Sequence, residues 1–237
     1  MDIVDIFKQH YEKYDINDSN INRKYYHSLR VMNLSSDIAK YLNLNQEEQF
    51  IARVIGLLHD YSRFEQWTVY KTYSDIDSID HADLAVKRLI DEGEIKLYLE
   101  DNKYYSVIYD AIKYHNKLKV DDNVDNKIFC NIIRDADKLD ILYLLTIKNL
   151  CVEDDKDISK AVESCFYKNV LVPYNLLKSK NDKIILSLSQ IFDINFKYSY
   201  KYINDNELIK KLFDNIENKD LFKQYFEYAD RYVKERI

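Results

Sequence analysis

The sequence predicts an all-α protein, a helical bundle with a C-terminal helical extension or cap. Only two glycines and one proline occur in 237 residues, so few positions favour strand turns or sharp breaks. Apolar residues instead recur at steps of three and four over long stretches, as they do on one face of an α-helix. Because the 22 tyrosines also tolerate strands, periodicity rather than residue preference decides the prediction.

The apolar periodicity also gives the order of the elements. Helices are predicted over residues 2–13, 20–43, 46–60, 80–92, 103–116, 126–149, 157–168, 181–200 and 204–236, with a break in the last one near Asn218. Residues 61–79 are expected to form an irregular lid with a short helix around 64–70. Asp80 is suited to be the N-cap of the helix after the lid, which places His81 in its first turn.

An acidic connector near residues 152–157 predicts a boundary in the chain. We therefore expect a core at residues 1–150 and a C-terminal helical extension at residues 151–237 that packs on it. A single domain is the alternative, since the chain is short enough for one core.

Charge and cysteine content argue against several classes of protein. The net charge is −6 at pH 7, and no dense run of Lys and Arg occurs, so a nucleic-acid duplex is not an expected partner. Cys130, Cys151 and Cys165 are odd in number and lack Cys-x-x-Cys spacing, which favours reduced thiols in a cytoplasmic protein. The first residues include acids and no long apolar stretch, so neither a signal peptide nor a membrane span is expected.

The most informative feature is a His-Asp pair at the end of an apolar helical run. His59 and Asp60 directly follow residues 51–58, and burying an imidazole and a carboxylate is costly unless a strong partner compensates them. A metal ion is such a partner. Further histidines and an aspartate lie at or inside other helical patterns and share their apolar side: His27, His81, His115 and Asp137. Core-facing helices are thus predicted to bring ligand-type side chains into a shared interior.

This ordered set resembles that of the HD-domain superfamily of metal-dependent phosphohydrolases, all-helical proteins named for the His-Asp pair. The resemblance covers roughly the first two thirds of the chain. It implies that a first metal ion is held by His27, His59, Asp60 and Asp137. It also implies that His81 and His115 match the two extra histidines of the two-metal branch, in which the Asp of the pair bridges the ions.

Three local motifs are similar to those of a stand-alone group of HD proteins. Phe64-x-Gln66-Trp67 follows the His-Asp pair, Ser-x-Asp-His-Ala-Asp surrounds His81, and Arg-Asp-Ala-Asp-Lys-Leu-Asp surrounds Asp137. This likeness does not name a substrate.

Several assignments have alternatives. Asp135 and Asp140 flank Asp137, but the family's metal aspartate lies in an Ala-Asp-basic step, which corresponds to Asp137. For His81 and His115 the alternative is contact with phosphate or substrate. Arg63 and Lys138 lie within four residues of a proposed ligand and are candidates to contact substrate phosphate, with an ordinary solvated or ion-paired charge as the alternative.

Residues near these ligands are interpreted in the same way. Gln66 and Trp67 are candidates to line the pocket, with core packing as the alternative for Trp67. His10 lies outside the ordered set and is expected at the surface.

The ligand types indicate the ions and the chemistry. Histidine nitrogen and carboxylate oxygen suit Mn, Fe, Co, Ni or Zn better than Mg or Ca. One or two such ions, with Asp60 as the bridge, would activate hydroxide for attack on phosphorus while Arg63 or Lys138 steadies the phosphate oxygens. The expected function is a metal-dependent phosphohydrolase, a phosphomonoesterase or phosphodiesterase, that acts on a small phosphate ester, with a nucleotide favoured.

Some known activities of the superfamily fit this sequence less well. Cyclic-dinucleotide phosphodiesterases carry a Gly-Tyr-Pro motif, and the only glycines and proline here are Gly56, Gly93 and Pro173. Alarmone hydrolases carry a Glu-Asp pair soon after the His-Asp pair, where this chain has Tyr-Ser-Arg-Phe, and deoxynucleotide triphosphohydrolases are usually larger. A di-iron oxygenase with the same six ligands and a metal-stabilised binding or regulatory module without turnover are the alternatives. The oligomeric state is left open.

Overall fold

The computed structural model describes residues 2–148 and 153–237, and within these ranges the protein is helical with no strand. The α-helices are α1 (Ile3–Tyr11), α2 (Ser19–Tyr41), α3 (Gln46–Leu58), α4 (Arg63–Tyr70), α5 (His81–Val86), α6 (Tyr105–Tyr114), α7 (Ile128–Lys148), α8 (Lys160–Tyr167), α9 (Lys180–Ser189), α10 (Lys197–Asp205), α11 (Leu208–Asp214) and α12 (Lys219–Lys234). The all-α prediction is confirmed.

Short turns of other helix types join or extend these helices. A π-helical turn at Lys87–Asp91 continues α5, and 3-10 turns lie at Glu94–Leu97, Tyr174–Leu176 and Gln190–Asp193. No helix in the described ranges is long and apolar enough to cross a membrane.

The chain divides into two compact units, Met1–Ala136 and Asp137–Ile237. The division falls inside α7. The predicted boundary between residues 150 and 151, the predicted helix end at 149 and Cys151 lie outside the described residues, so the division into a core and an extension stays a prediction.

In the first unit, α2 and α3 pack very closely at Gly56. A Cβ atom added there would lie 2.8 Å from Met32 Cα and 2.9 Å from the Val31 carbonyl oxygen. Only glycine permits this approach without displacing backbone. The close contact lies one helical turn before His59 and one turn after His27, so it sets the distance between the two histidine-bearing segments.

The caps of α3 and α5 fix where the site residues begin or end a helix. Asn45 and Glu48 form a capping box at the start of α3. The Asp80 carboxylate accepts hydrogen bonds from the backbone nitrogens of Ala82 and Asp83, which confirms Asp80 as the N-cap and His81 as the first residue of α5. The short helix predicted inside the lid is confirmed as α4.

The helix predicted over residues 181–200 is wrong, because the structure has two helices there. α9 ends at Ser189, a 3-10 turn follows, and α10 begins at Lys197. Asn195 Nδ2 donates to the Asp193 carbonyl oxygen, a local bond that competes with helix formation. The predicted break near Asn218 is confirmed, since Asn218 caps α12.

The second unit is organised around aromatic side chains. Phe166 on α8 is fully buried. Its ring contacts Phe192 in the 3-10 turn and Tyr225 and Tyr228 on α12. Aromatic contacts thus join α8 to the rest of this unit. The role of the second unit as a helical cap stays a prediction.

Candidate metal centre

Five ligand-type side chains of the first unit meet in its interior, and each is at most 4% exposed. His27 lies within α2, and His81 is the first residue of α5. His59 and Asp60 are the two residues that follow α3, and His115 directly follows α6. We call this group the candidate metal centre.

The Asp60 carboxylate lies between two pairs of histidines. Its Oδ2 atom is 3.4 Å from His27 Nε2 and 3.5 Å from His59 Nε2. Its Oδ1 atom is 3.3 Å from His81 Nε2 and 3.8 Å from His115 Nε2. Each carboxylate oxygen therefore faces one histidine pair, as a carboxylate shared by two adjacent ions would.

The opposite ring nitrogens of two of these histidines are held by backbone carbonyls. His59 Nδ1 lies 2.8 Å from the Gly56 oxygen, and His115 Nδ1 lies 2.6 Å from the Ile112 oxygen, in each case three residues earlier in the chain. Because a carbonyl oxygen only accepts hydrogen bonds, Nδ1 carries a proton in both rings. In the neutral form of either ring, Nε2 presents a lone pair to the centre.

The donor atoms fit a metal ion. His81 Nε2 and His115 Nε2 lie 2.9 Å apart, and His27 Nε2 and His59 Nε2 lie 3.2 Å apart. Such distances would allow both nitrogens of a pair to coordinate one cation. Nitrogen ligands at about 2.1 Å from one ion are separated by roughly 3 to 3.5 Å, and this mixed nitrogen and oxygen set suits a divalent transition metal.

Buried charge and hydrogen bonding shift the pKa values in this centre. Burial alone would raise the pKa of Asp60, but Lys24, His59 and Arg63 together hold it well below its usual value. Burial lowers the pKa of His115 to about 4, although Asp60 acts in the opposite direction. An ionised carboxylate beside a neutral imidazole is the protonation state that binds a cation.

Two cations contact the Asp60 carboxylate. Lys24 Nζ lies 2.7 Å from Oδ2, and Arg63 Nε lies 3.3 Å from Oδ1. Lys24 was not among the predicted site residues. The signal was present, because Lys24 precedes His27 by three residues on α2 and therefore lies on the same helix face.

Arg63 also holds the part of the lid that follows α4. Its Nη1 atom donates to Gln66 Oε1 at 2.7 Å, to the Tyr73 carbonyl oxygen at 2.8 Å and to Asp75 Oδ1 at 3.1 Å. The guanidinium thus has structural partners here, and its contact with substrate phosphate stays a prediction.

Gln66 is fully buried and ties the same lid together. Its Nε2 atom lies 2.9 Å from Asp75 Oδ1, Ser78 Oγ and the Ile79 oxygen. Trp67 Nε1 donates to Asp18 Oδ2 at 2.7 Å, so both residues have structural partners in the described chain.

Asp75 is a site residue that the sequence reading missed. Its two carboxylate oxygens lie 2.9 and 2.7 Å from His81 Nδ1, and Asn116 Nδ2 donates to it at 3.1 Å. Burial would raise its pKa, but the His81 contacts and Arg63 lower it overall. Asp75 therefore orients His81 and keeps Nε2 directed at the centre.

The two predicted residues on the later part of α7 belong to the second unit. Lys138 Nζ forms an ion pair with Asp193 Oδ2 at 2.7 Å, and an ion pair is the alternative to a phosphate contact for this residue. Asp137 is half-buried, whereas Asp135 and Asp140 are buried. The role of Asp137 as a metal ligand stays a prediction, and so does the contact of Lys138 with substrate phosphate.

Arg134 joins the first part of α7 to the segment that carries His115. Its Nη1 atom donates to the carbonyl oxygens of Tyr114 at 2.9 Å and Lys117 at 2.5 Å. The first part of α7 is thereby fixed against the end of α6.

The expectation that His10 lies at the surface is wrong. It is 8% exposed, its ring stacks on Tyr61 with centres 3.8 Å apart, and its Nε2 atom lies 3.2 Å from the Tyr61 carbonyl oxygen. His10 follows Phe7 by three residues, so it lies on the buried face of α1. It supports the turn directly after Asp60.

A buried cluster of histidines and a carboxylate in a helical fold is typical of metal-binding helical proteins. The comparison with protein families agrees, because residues 25–142, about half of the chain, match the HD domain. The chain belongs to the HD-domain superfamily, and the match spans every residue of the candidate metal centre. Comparison with curated proteins and with solved structures gave no match.

Proposed function

We propose that this protein is a metal-dependent hydrolase of small phosphate esters, with nucleotides as the favoured class. One observation carries the proposal: the Asp60 carboxylate lies between two histidine pairs, with each oxygen directed at one pair. Membership of a superfamily of metal-dependent phosphohydrolases supports the same reaction.

The residues present would hold two ions. His27, His59 and Asp60, with Asp137 as a further ligand, would hold one, and Asp60, His81 and His115 would hold the other. Mn, Fe, Co, Ni and Zn fit these ligands better than Mg. When bound, such ions lower the pKa of water and neutralise phosphate charge.

The rest of the chain prepares these ligands. The carbonyl groups of Gly56 and Ile112 and the Asp75 carboxylate fix three imidazole rings, so no rotation is needed when a ligand binds. The Lys24 ammonium group carries three N–H donors and contacts Asp60 with one of them. The others can donate to a non-bridging phosphate oxygen, where they would stabilise the charge that develops during hydrolysis.

The test has two parts. Protein expressed in metal-supplemented medium is analysed for bound metal, and the same preparation is screened with chromogenic phosphomonoesters, phosphodiesters and nucleotides in the presence of Mn, Fe, Co, Ni or Zn. We expect one or two ions per chain and hydrolysis that Asp60→Ala abolishes. Asp37→Ala, which removes an exposed carboxylate from α2, is the matched control and should leave both properties unchanged.

Two results would contradict the proposal. One is less than about half an ion per chain with no rebinding. The other is consumption of oxygen with formation of an oxidised product by the iron-loaded protein and no phosphate release, which would instead identify an oxygenase.

A further inference from the structure

Positive charge also gathers beside the candidate metal centre, around the ring of Tyr73. Arg23 Cζ lies 5.5 Å from the ring centre, Lys24 Nζ 5.4 Å and Arg63 Cζ 5.6 Å. Lys24 and Arg63 are the same two cations that contact Asp60. The Tyr73 ring therefore lies beside the centre, and Arg23 approaches the same ring from α2.

Tyr73 is held in place from several directions. Its hydroxyl donates to the Asn20 carbonyl oxygen at 2.9 Å, and its backbone oxygen accepts from Arg63 at 2.8 Å. The Trp67 ring lies 5.0 Å from it, and Trp67 in turn donates to Asp18. A fixed ring surrounded by cations is a rigid platform that positions their charges.

The three cations differ in the carboxylates that neutralise their positive charge. Lys24 contacts Asp60, and Arg63 contacts both Asp60 and Asp75. Arg23 makes no ion pair with any residue that the structure describes. Its Nη2 atom has only a long hydrogen bond, 3.4 Å, to the uncharged Asn20 side chain.

Asp18, the N-cap residue of α2, has other partners and does not neutralise the charge of Arg23 either. Asp18 Oδ1 accepts from the Asn20 nitrogen, and Asp18 Oδ2 accepts from Trp67 Nε1. Arg23 is therefore a half-buried guanidinium whose planar donors are available to an anion.

We propose that Arg23 binds a second phosphate group of the substrate, next to the phosphate that is hydrolysed at the candidate metal centre. Arg23 and Lys24 both lie within 5.5 Å of the Tyr73 ring centre and one helical turn before His27, so phosphates bound to these two residues would be neighbours. The inference rests on the proposed function and narrows it to esters with two neighbouring phosphates. A nucleoside diphosphate or an adenosine bisphosphate has this chemistry.

Binding of inorganic pyrophosphate and of orthophosphate tests the inference without requiring turnover. Both are titrated calorimetrically into metal-loaded protein that has been dialysed free of unbound metal. The wild-type protein is expected to bind pyrophosphate at least tenfold more tightly than orthophosphate. Arg23→Gln should weaken pyrophosphate binding about tenfold or more and orthophosphate binding less than twofold, as expected for loss of one charge-assisted contact.

Two further variants make this result specific. Arg53→Gln removes the same charge from α3, where Arg53 lines a separate groove with Asp37 and Lys40, and should leave both affinities unchanged. Arg23→Lys keeps the charge and should retain part of the preference for pyrophosphate. The inference is overturned if Arg23→Gln weakens both anions equally, weakens neither, or behaves like Arg53→Gln.

Kinetics then identify the arrangement of the phosphates. The values of kcat/KM for AMP, ADP and adenosine 3′,5′-bisphosphate separate a linked pair of phosphates from two that stand on different ribose carbons. At least tenfold preference for one of the two doubly phosphorylated compounds, lost in Arg23→Gln, supports the inference, and equal values for all three contradict it. A protein without turnover that still shows the Arg23-dependent pyrophosphate binding would contradict the proposed hydrolase but not the anion site.

Discussion

Lys24 and Asp60 form an ion pair inside the candidate metal centre, with Nζ 2.7 Å from the same carboxylate oxygen that faces His27 and His59. In the proposed function, this lysine donates to a non-bridging phosphate oxygen. Its charge also opposes the binding of a metal ion at that carboxylate oxygen. These two effects can be measured separately.

The first prediction is that Lys24→Met lowers kcat/KM without lowering metal content. Loss of a donor to the developing charge should cost about 2–4 kcal/mol of transition-state stabilisation, which is roughly 30-fold to 1,000-fold in rate. Metal affinity should stay equal or increase, because a repelling charge has been removed. Steady-state kinetics and calorimetric titration with Mn check both statements. Lys40→Met, an exposed lysine of the same helix, is the control, and a loss of metal that parallels the loss of activity in Lys24→Met would contradict the assignment.

The second prediction separates the two ion sites. Asp60→Ala should lose both ions, because its two oxygens face both histidine pairs, whereas His115→Ala should lose mainly the ion near His81. Elemental analysis of the purified variants gives the number of ions per chain. Equal and complete loss in both variants would exclude two sites that share Asp60.

The third prediction concerns Asp75, which accepts from His81 and orients its ring. Asp75→Asn should weaken binding of the second ion by about 10-fold to 100-fold and leave the first almost unchanged, as expected when the hydrogen-bond partner of a ligand is altered. Calorimetric titration that resolves two binding steps is the measurement. Asp77→Asn, an exposed acid in the same lid, should have no effect, and equal weakening by the two variants would remove the role given to Asp75.

The fourth prediction concerns Arg63 and Lys138. Arg63→Ala should lower the free energy of unfolding by about 2 kcal/mol, because charge-assisted bonds to Asp60 and Asp75 are lost, and should also lower kcat/KM. Lys138→Ala removes the ion pair with Asp193. The free energy of unfolding and kcat/KM are measured for this variant as well. Metal content should stay intact in both variants. Near-normal kcat/KM in both would mean that these charges are structural and that other residues bind the phosphate.

The sequence predicts the parts of the site that obey helical spacing. His27, His59 and His115 follow apolar stripes, and Asp80 precedes one, so periodicity and capping rules place them correctly relative to the helices. Asp75 lies in an irregular segment whose path depends on tertiary hydrogen bonds to Gln66 and His81, and no spacing rule applies there.

Two other misses have different causes. The break between α9 and α10 depends on a local bond from Asn195 that competes with a continuous apolar pattern. The expectation of a surface position for His10 rests on its place outside the ordered set of ligands, although its spacing from Phe7 puts it on the buried face of α1.

The last prediction is that His10 makes the protein less stable as the pH falls below 6.5. Burial lowers its pKa from 6.5 to about 4; Lys13 acts in the same direction, while the Tyr61 carbonyl, Glu94 and Glu65 oppose it. The unfolded chain therefore binds a proton at a higher pH than the folded chain does. Stability is complete above pH 6.5 and falls as the pH is lowered towards 4, by roughly 1.4 kcal/mol at pH 5.5.

Urea unfolding of the wild-type protein and of His10→Gln at pH 7.5 and 5.5, with a chelator present throughout, isolates this contribution. The glutamine side chain can still donate to the Tyr61 oxygen but does not titrate, and every other ionisable group is common to both proteins. The wild-type protein should lose about 1.4 kcal/mol more than the variant between the two pH values. If both proteins lose the same free energy, His10 is either protonated in the folded state or exposed to water, and its place against the turn after Asp60 is incorrect.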